Sequence, residues 1–419
     1  MRLFTLDIEL NKGKTSEKVS RALERSVERF RIDYQENRLG FFELPADRSS
    51  CALAQHWAKE TPKDITDVLL IGIGGSDLGV RMLCQALQKT GAGKRLHFLS
   101  APDPDSVSEI LSRLDWRRTL VNVVSKSGNT LEPISLLLAI WPSMKKTLGK
   151  RAKERVVVTT EEQEKSKLFC LAKEEGFRIL PFPPSIGGRF SALALSSLYP
   201  AALAGIDIRG LLSGAKAMMD DVLTKTTYSL PAQYAAAMYA AIERGGSIHV
   251  CMPYAARLDA FAVWYRQLWA ESLGKTVRGK RIGPTPIAGT GPVDQHSQLQ
   301  LYQDGPQDKV ITFIEIDRWE KDMRLAFAWK NMPLDGLAGT KLSTIMKAER
   351  LGVAEALHDA GCPTLTITIP TLNAFHLGSL CFFYEVSVVL LGYMLGVDPF
   401  DQPGVEAAKR ATAKRLLTC

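Results

Sequence analysis

The sequence predicts an α/β protein of two doubly wound parallel-sheet domains with helices on both faces. Three observations carry this expectation. From about residue 60 onward, apolar runs of strand length alternate with helical stretches, the pattern of crossover units in parallel sheets. The runs form two groups, on either side of the helix-rich segment Phe190 to Thr227. No Gly/Ser tract, Pro tract or block of like charge separates the groups, so the domains should pack closely around a cleft.

The first group of strands is expected at Val68 to Ile73, Leu96 to Leu99, Leu120 to Val124, Val156 to Thr159 and Phe177 to Pro181. The second is expected at Ser247 to Met252, Val310 to Ile316 and Thr364 to Ile369. The boundary falls near residue 207, giving a first domain over 1–207 with a helical N-terminal extension and a second over 208–419 with C-terminal helices. Ser379 to Val397 is apolar over 19 residues, but Glu385 leaves only twelve uncharged residues after it. A membrane span wants about 20 apolar residues, so this stretch is expected to be a core helix.

A chain of 419 residues has room for two or three domains. With 46% hydrophobic and 23% charged residues, it falls outside the disordered, collagenous and disulfide-scaffold classes. Its seven cysteines are scattered and include no CxxC pair, which suits a reduced, cytoplasmic setting with thiols as small core residues. The stretch MRLFTLDIELNKGKTSEKVS carries charges where an export signal needs an apolar run. The formal charge of +8 is spread along the chain without an aromatic-rich RNA-binding signature. A small phosphorylated metabolite is therefore the expected partner, with no nucleic acid and no membrane.

Six segments can carry chemistry. Val68 to Gly79, VLLIGIGGSDLG, runs from a strand through a Gly/Ser turn into a helix, where backbone amides favour an anion. A dinucleotide fingerprint fails at Asp77, and no Walker Lys follows; a plain tight turn is the rival account. Ser125 to Thr130, SKSGNT, repeats the design, with Ser125, Lys126, Ser127 and Thr130 as donors before a helix. Polar capping is the alternative there. In Pro183 to Ser191, PPSIGGRFS, Arg189 can offer a fixed fork to an oxyanion or be an ordinary loop residue.

In Arg257 to Lys275, Leu258, Phe261, Tyr265 and Leu268 form a buried stripe, while Gln267 and Glu271 project together on another line. Glu271 is either a general base or the partner of Lys275 in an i,i+4 pair. His296 sits in the polar segment GPVDQHSQLQLY, where it is a proton carrier or a structural histidine. In VDPFDQPGVEAAKR, Asp401 or Gln402 should cap a helix entered at Pro403, with Lys409 about two turns in. Lys409 can reach a cleft or simply pair with Glu406.

Taken together, IGIGGSDLG, VVSKSGNTLEP, GGRFS, QLWAESLGK, GPVDQHSQLQLY and DPFDQPGVEAAK make the chain resemble the glucose-6-phosphate isomerase, or phosphoglucose isomerase, family from residue 71 to 409. The resemblance implies two sugar isomerase domains and reversible aldose–ketose isomerisation of glucose 6-phosphate and fructose 6-phosphate in glycolysis and gluconeogenesis. It implies that Ser76, Ser125, Lys126, Ser127 and Thr130 surround the sugar's phosphate, with Gly75 also binding substrate, that Arg189 stabilises an enediolate, and that Glu271 is the base. Gln267 and Gln402 would line the site. His296, donated by the partner of a homodimer, and Lys409 would open the ring, with no metal or other cofactor. Asp398 stands where the family usually has Asn, and Ser127 where Thr is common. A non-catalytic sugar-phosphate regulator of the same fold is the alternative, but it would have no need of Glu271, His296 and Lys409.

Overall fold

Strand sequences such as Val68–Ile71 and Val156–Thr160 are apolar on both faces or nearly so, which only a sheet covered on both sides can satisfy. The computed structural model describes residues 3–9, 16–326 and 337–416, and both segments are fully buried in it. Cys419 and part of the N-terminal stretch read for an export signal lie outside the described residues.

The chain begins with β1 (Thr5–Glu9), α1 (Glu17–Gln35) and α2 (Arg48–Glu60). Next come β2 (Asp67–Ile71), α3 (Leu78–Leu87), β3 (Arg95–Leu99), α4 (Pro104–Arg113) and β4 (Thr119–Val124). They are followed by α5 (Leu131–Leu148), β5 (Val156–Thr160), α6 (Lys167–Glu175) and β6 (Arg178–Pro181). Strands β2 to β6 form a parallel sheet in the order β3-β2-β4-β5-β6, with Leu70 beside Phe98 and Asn122. Helices α7 (Leu195–Leu203), α8 (Ile208–Lys225) and α9 (Leu230–Glu243) lead to the second half.

There the order is β7 (Ile248–Pro253), α10 (Asp259–Leu273), the hairpin β8 (Lys275–Val277) and β9 (Lys280–Ile282), then β10 (Thr285–Ala288) and α11 (Leu299–Asp304). The last elements are β11 (Lys309–Ile316), α12 (Leu342–Asp359), β12 (Thr364–Ile369), α13 (Ala374–Leu395) and α14 (Glu406–Leu416). The second sheet runs β1-β12-β11-β7-β10.

All eight expected strands are present, each with its ends within two residues of the expectation. Three features were not foreseen. β1 pairs antiparallel with β12, Leu6 opposite Ile367, so residues 5–9 complete the second sheet although they lie within the stretch 1–207. β10 contains Pro286 and occupies an edge, where a missing N–H is tolerated. The β8–β9 ribbon is short and half of its strand residues are basic, so it has no strand-like apolar pattern.

The long apolar stretch is the core helix α13, which packs against α1, α8, α9 and α10. Its approach to α8 depends on two glycines. A Cβ on Gly214 would lie 1.7 Å from the Phe375 carbonyl oxygen, and one on Gly378 would lie 1.9 Å from that of Leu211. Within α13, Glu385 is fully buried and neither carboxyl oxygen has a hydrogen-bond partner among the described residues. Burial pushes its pKa well above the ordinary carboxylate range. One apolar core reaches from Val68 and Leu70 of the first sheet through α7, α8 and α13 to Leu365 and Ile367 of the second.

Candidate active site

The site is built where the first sheet meets the second half. From β2 the chain steps outward to β3, then returns to lay β4 on the other side. The ends of β2 and β4 therefore flank the topological switch point, where open parallel sheets bind ligands. After β2, Gly74–Ser76 forms a tight 3₁₀ turn closed by Asp77 N donating to Gly74 O at 3.0 Å. Asp77 is buried and fastens the turn to its surroundings, its Oδ2 accepting from Arg81 Nε at 2.7 Å and Ser100 Oγ at 2.8 Å. Burial raises the Asp77 pKa, with Arg81 opposing. A Cβ on Gly75 would stand 2.1 Å from the Gly188 carbonyl oxygen, so only glycine lets the first and third motifs touch.

After β4, Ser125 is buried and its hydroxyl donates to Thr130 Oγ1 at 3.1 Å. Thr130 precedes α5 but makes no side-chain cap bond, so capping does not explain its hydroxyl. Ser127 is exposed, and its Oγ accepts from Asn129 N at 3.2 Å within the loop. Lys126 donates to Pro184 O at 2.8 Å and lies 3.7 Å from Glu161. Burial lowers the Lys126 pKa, Glu161 opposes this, and the nearby charge of Arg189 adds to the lowering.

Arg189 connects the two halves. It is 2% exposed and all five of its N–H groups are engaged. Nε donates to Ser272 Oγ at 2.8 Å; Nη1 donates to Glu271 Oε2 at 3.3 Å and Gln402 Oε1 at 2.6 Å. Nη2 donates to the carbonyls of Pro399 at 2.5 Å and Asp401 at 3.1 Å. Burial lowers its pKa, and Glu271, Asp401 and Asp398 counter that shift. The other Glu271 oxygen accepts from Gln267 Nε2 at 3.0 Å. Gln267 Oε1 is buried with no partner among the described residues, and its amide stands over the turn, 2.9 Å from where a Cβ on Gly74 would lie.

The structure thus brings Gly75, Ser76, Arg189, Gln267, Glu271 and Gln402 together, with Ser125, Lys126 and Thr130 at the neighbouring strand end. It does not bring His296 or Lys409 into this network. Both are exposed; among the described residues the His296 side chain makes no hydrogen bond or ion pair, and Lys409 pairs with Glu406 at 2.7 Å. Lys275 pairs with Asp401 at 2.7 Å, so Glu271 is not half of an i,i+4 pair with it. Gln402 binds Arg189 and does not cap; a 3₁₀ turn at Pro403–Val405 precedes α14, placing Lys409 in the first α-helical turn. Asp398 holds its local turn by accepting from Phe400 N at 2.8 Å. Sequence reasoning missed Ser272 and the Pro399 and Asp401 carbonyls, although Ser272 follows Glu271 directly in the motif.

Residues 49–418 match the family described as phosphoglucose isomerase. A glucose-6-phosphate isomerase from Rubrobacter xylanophilus is 39% identical over 388 residues, covering 90% of this chain and 89% of that protein. A hypothetical protein from Thermus thermophilus has a crystal structure that superposes with a TM-score of 0.92 at 34% identity, covering 98% of this chain and all of that one. The crystal structure of a glucose-6-phosphate isomerase from Chlamydia trachomatis gives a TM-score of 0.73 at 25% identity, covering 99% of this chain and 81% of that one.

Proposed function

Because the chain belongs to the phosphoglucose isomerase family and reversibly interconverts glucose 6-phosphate and fructose 6-phosphate, we propose that Glu271 is the base that carries the proton between C2 and C1. The observation that carries this is the placement of its carboxylate. One oxygen is held by Gln267 and the other faces Arg189, above the turn at the end of β2. A fixed carboxylate can take a proton from one carbon and return it to the next, which general-base catalysis by a positioned side chain requires.

Removing the proton leaves an enediolate. The Arg189 guanidinium, held out of water beside Glu271, stabilises that developing charge far better than a solvated cation would. Ser125, Lys126, Thr130 and the Gly75–Ser76 amides seat the phosphate, with Ser127 at the outer rim. Anchoring the phosphate there brings C1 and C2 under Glu271 and supplies orientation. Gln267 Oε1 is available for a sugar hydroxyl.

Ring opening needs a proton delivered to the ring oxygen and one withdrawn from the C1 hydroxyl. We assign this to His296 and Lys409, with His296 supplied by the second copy in a homodimer. Their exposure on the single chain supports that reading. The six described cysteines are free, which supports a cytoplasmic enzyme.

Glu271→Gln tests the assignment of the base. Its turnover should fall by about a thousandfold or more while sugar-phosphate binding changes only a few-fold. Turnover near the wild-type rate in a coupled assay would remove Glu271 from the mechanism.

A further inference from the structure

Apart from the antiparallel β1, the second sheet repeats the strand order of the first, β10-β7-β11-β12 matching β3-β2-β4-β5. Its β7 stands at a switch point as β2 does, because the chain steps from β7 to β10 on one side and to β11 on the other. The crevice beyond the carboxyl ends of β7 and β11 is thus the counterpart of the site that holds Gly75 and Ser125. Beside it, beyond the carboxyl ends of β11 and β12, lies a cavity of about 980 Å³ against the end of α3 and the Gly205–Asp207 corner; Arg257 lines it from the segment after β7, and none of the residues assigned to isomerisation does.

The lining is cationic. Arg257 follows β7, Arg318 and Lys321 follow β11, and Lys89 faces them from beyond the end of α3. Two carboxylates also line the cavity against four cations, and Glu320 lies within reach of the charges of Lys89, Arg257 and Lys321. Glu320 pairs with Lys89 at 2.6 Å, and Asp207 accepts from Gly210 N at 2.9 Å as the cap of α8. Among the described residues the side chains of Arg257 and Lys321 make no hydrogen bond or salt bridge, and that of Arg318 approaches a carboxylate only at 3.9 Å, from Asp317. The 22-residue helix α13 starts in the same wall at Ala374, adding the positive end of its dipole. Trp319, half-buried between the cations, supplies an apolar plate.

We propose that this cavity is a second ligand site, which takes a small organic phosphate with its phosphoryl group among Arg257, Arg318 and Lys321 and its carbon body against Trp319. Guanidinium forks suit phosphoryl oxygens, and an indole face suits a ring. The volume admits a sugar phosphate or a mononucleotide, two sources of the same chemistry.

Calorimetric titration with ribose 5-phosphate, AMP and inorganic phosphate tests this on the full chain. At least one of the two organic phosphates should bind tenfold or more tighter than inorganic phosphate. Arg257→Ala/Arg318→Ala should weaken that binding at least tenfold while kcat and KM for isomerisation stay within twofold, which locates the lost binding outside the catalytic site. Lys321→Ala, a separate exposed change, should weaken it in the same direction. Trp319→Phe should abolish the ligand-induced change in fluorescence. Wild-type affinity in both cation variants, inorganic phosphate binding as tightly as both organic probes, or no binding at millimolar concentrations would each overturn the proposal.

Discussion

Gly75 shows how narrowly the catalytic geometry is specified. A methyl group there would lie 2.1 Å from Gly188 O and 2.7 Å from Arg189 N, both backbone atoms that cannot swing aside. Gly75→Ala should therefore push the turn and Arg189 apart and lower kcat/KM by about a hundredfold, the cost of misplacing reacting groups by roughly 1 Å. Gly352→Ala, where a Cβ meets nothing within 4 Å, serves as the control and should leave kcat/KM unchanged. Equal kinetics in the two variants would show that this contact does not set the site. Glu271, Arg189, Gln267 and the Ser/Thr loop were picked out as candidates in the sequence, though for Glu271 and Arg189 residue type left a plainer account open and only the family resemblance assigned a role. The carbonyls that hold Arg189, from Pro399 and Asp401, were not legible, because a backbone oxygen has no residue signature and its use depends on packing across more than 200 positions.

At the scale of elements, α13 combines a legible feature with an unforeseen one. Its apolar composition announced a buried helix, but only the structure shows that Glu385 has no partner there among the described residues. With its folded pKa raised by burial, the group keeps its proton in the folded state and releases it from the unfolded chain above about pH 4.3. The unfolded chain then binds fewer protons. The contribution to stability is thus fully present below the unfolded pKa and is lost as pH rises toward the folded one, by up to about 1.4 kcal/mol per pH unit. Glu385→Gln removes that slope, so the melting temperature of the variant minus that of the wild type should increase from pH 5 to pH 8. A difference that stays flat would mean that the carboxyl is solvated or paired. Strands with continuous apolar runs, such as β2, β4 and β5, were readable for the same reason as α13: burial on both faces leaves no other composition. β1 and β10 were not, since none of their residues is fully buried and β10 carries Pro286, so neither reads as an apolar run.

Over the whole molecule, the exposed positions of His296 and Lys409 lead to a test of the homodimer. Glu271→Gln and His296→Ala should each be nearly inactive alone. Mixed under conditions that allow subunits to exchange, they should recover about a quarter of wild-type activity, since a mixed pair under C2 symmetry has one intact site. No recovery, or an active monomer in sedimentation, would place His296 in its own chain's site. The pairing of β1 with β12 has a further consequence. β1 leaves the ribosome well before the strand it docks beside, with Thr364 Oγ1 donating to Glu9 Oε2 at 3.1 Å across 355 positions. During synthesis β1 must wait for its β12 partner until the more than 350 residues between them have been added.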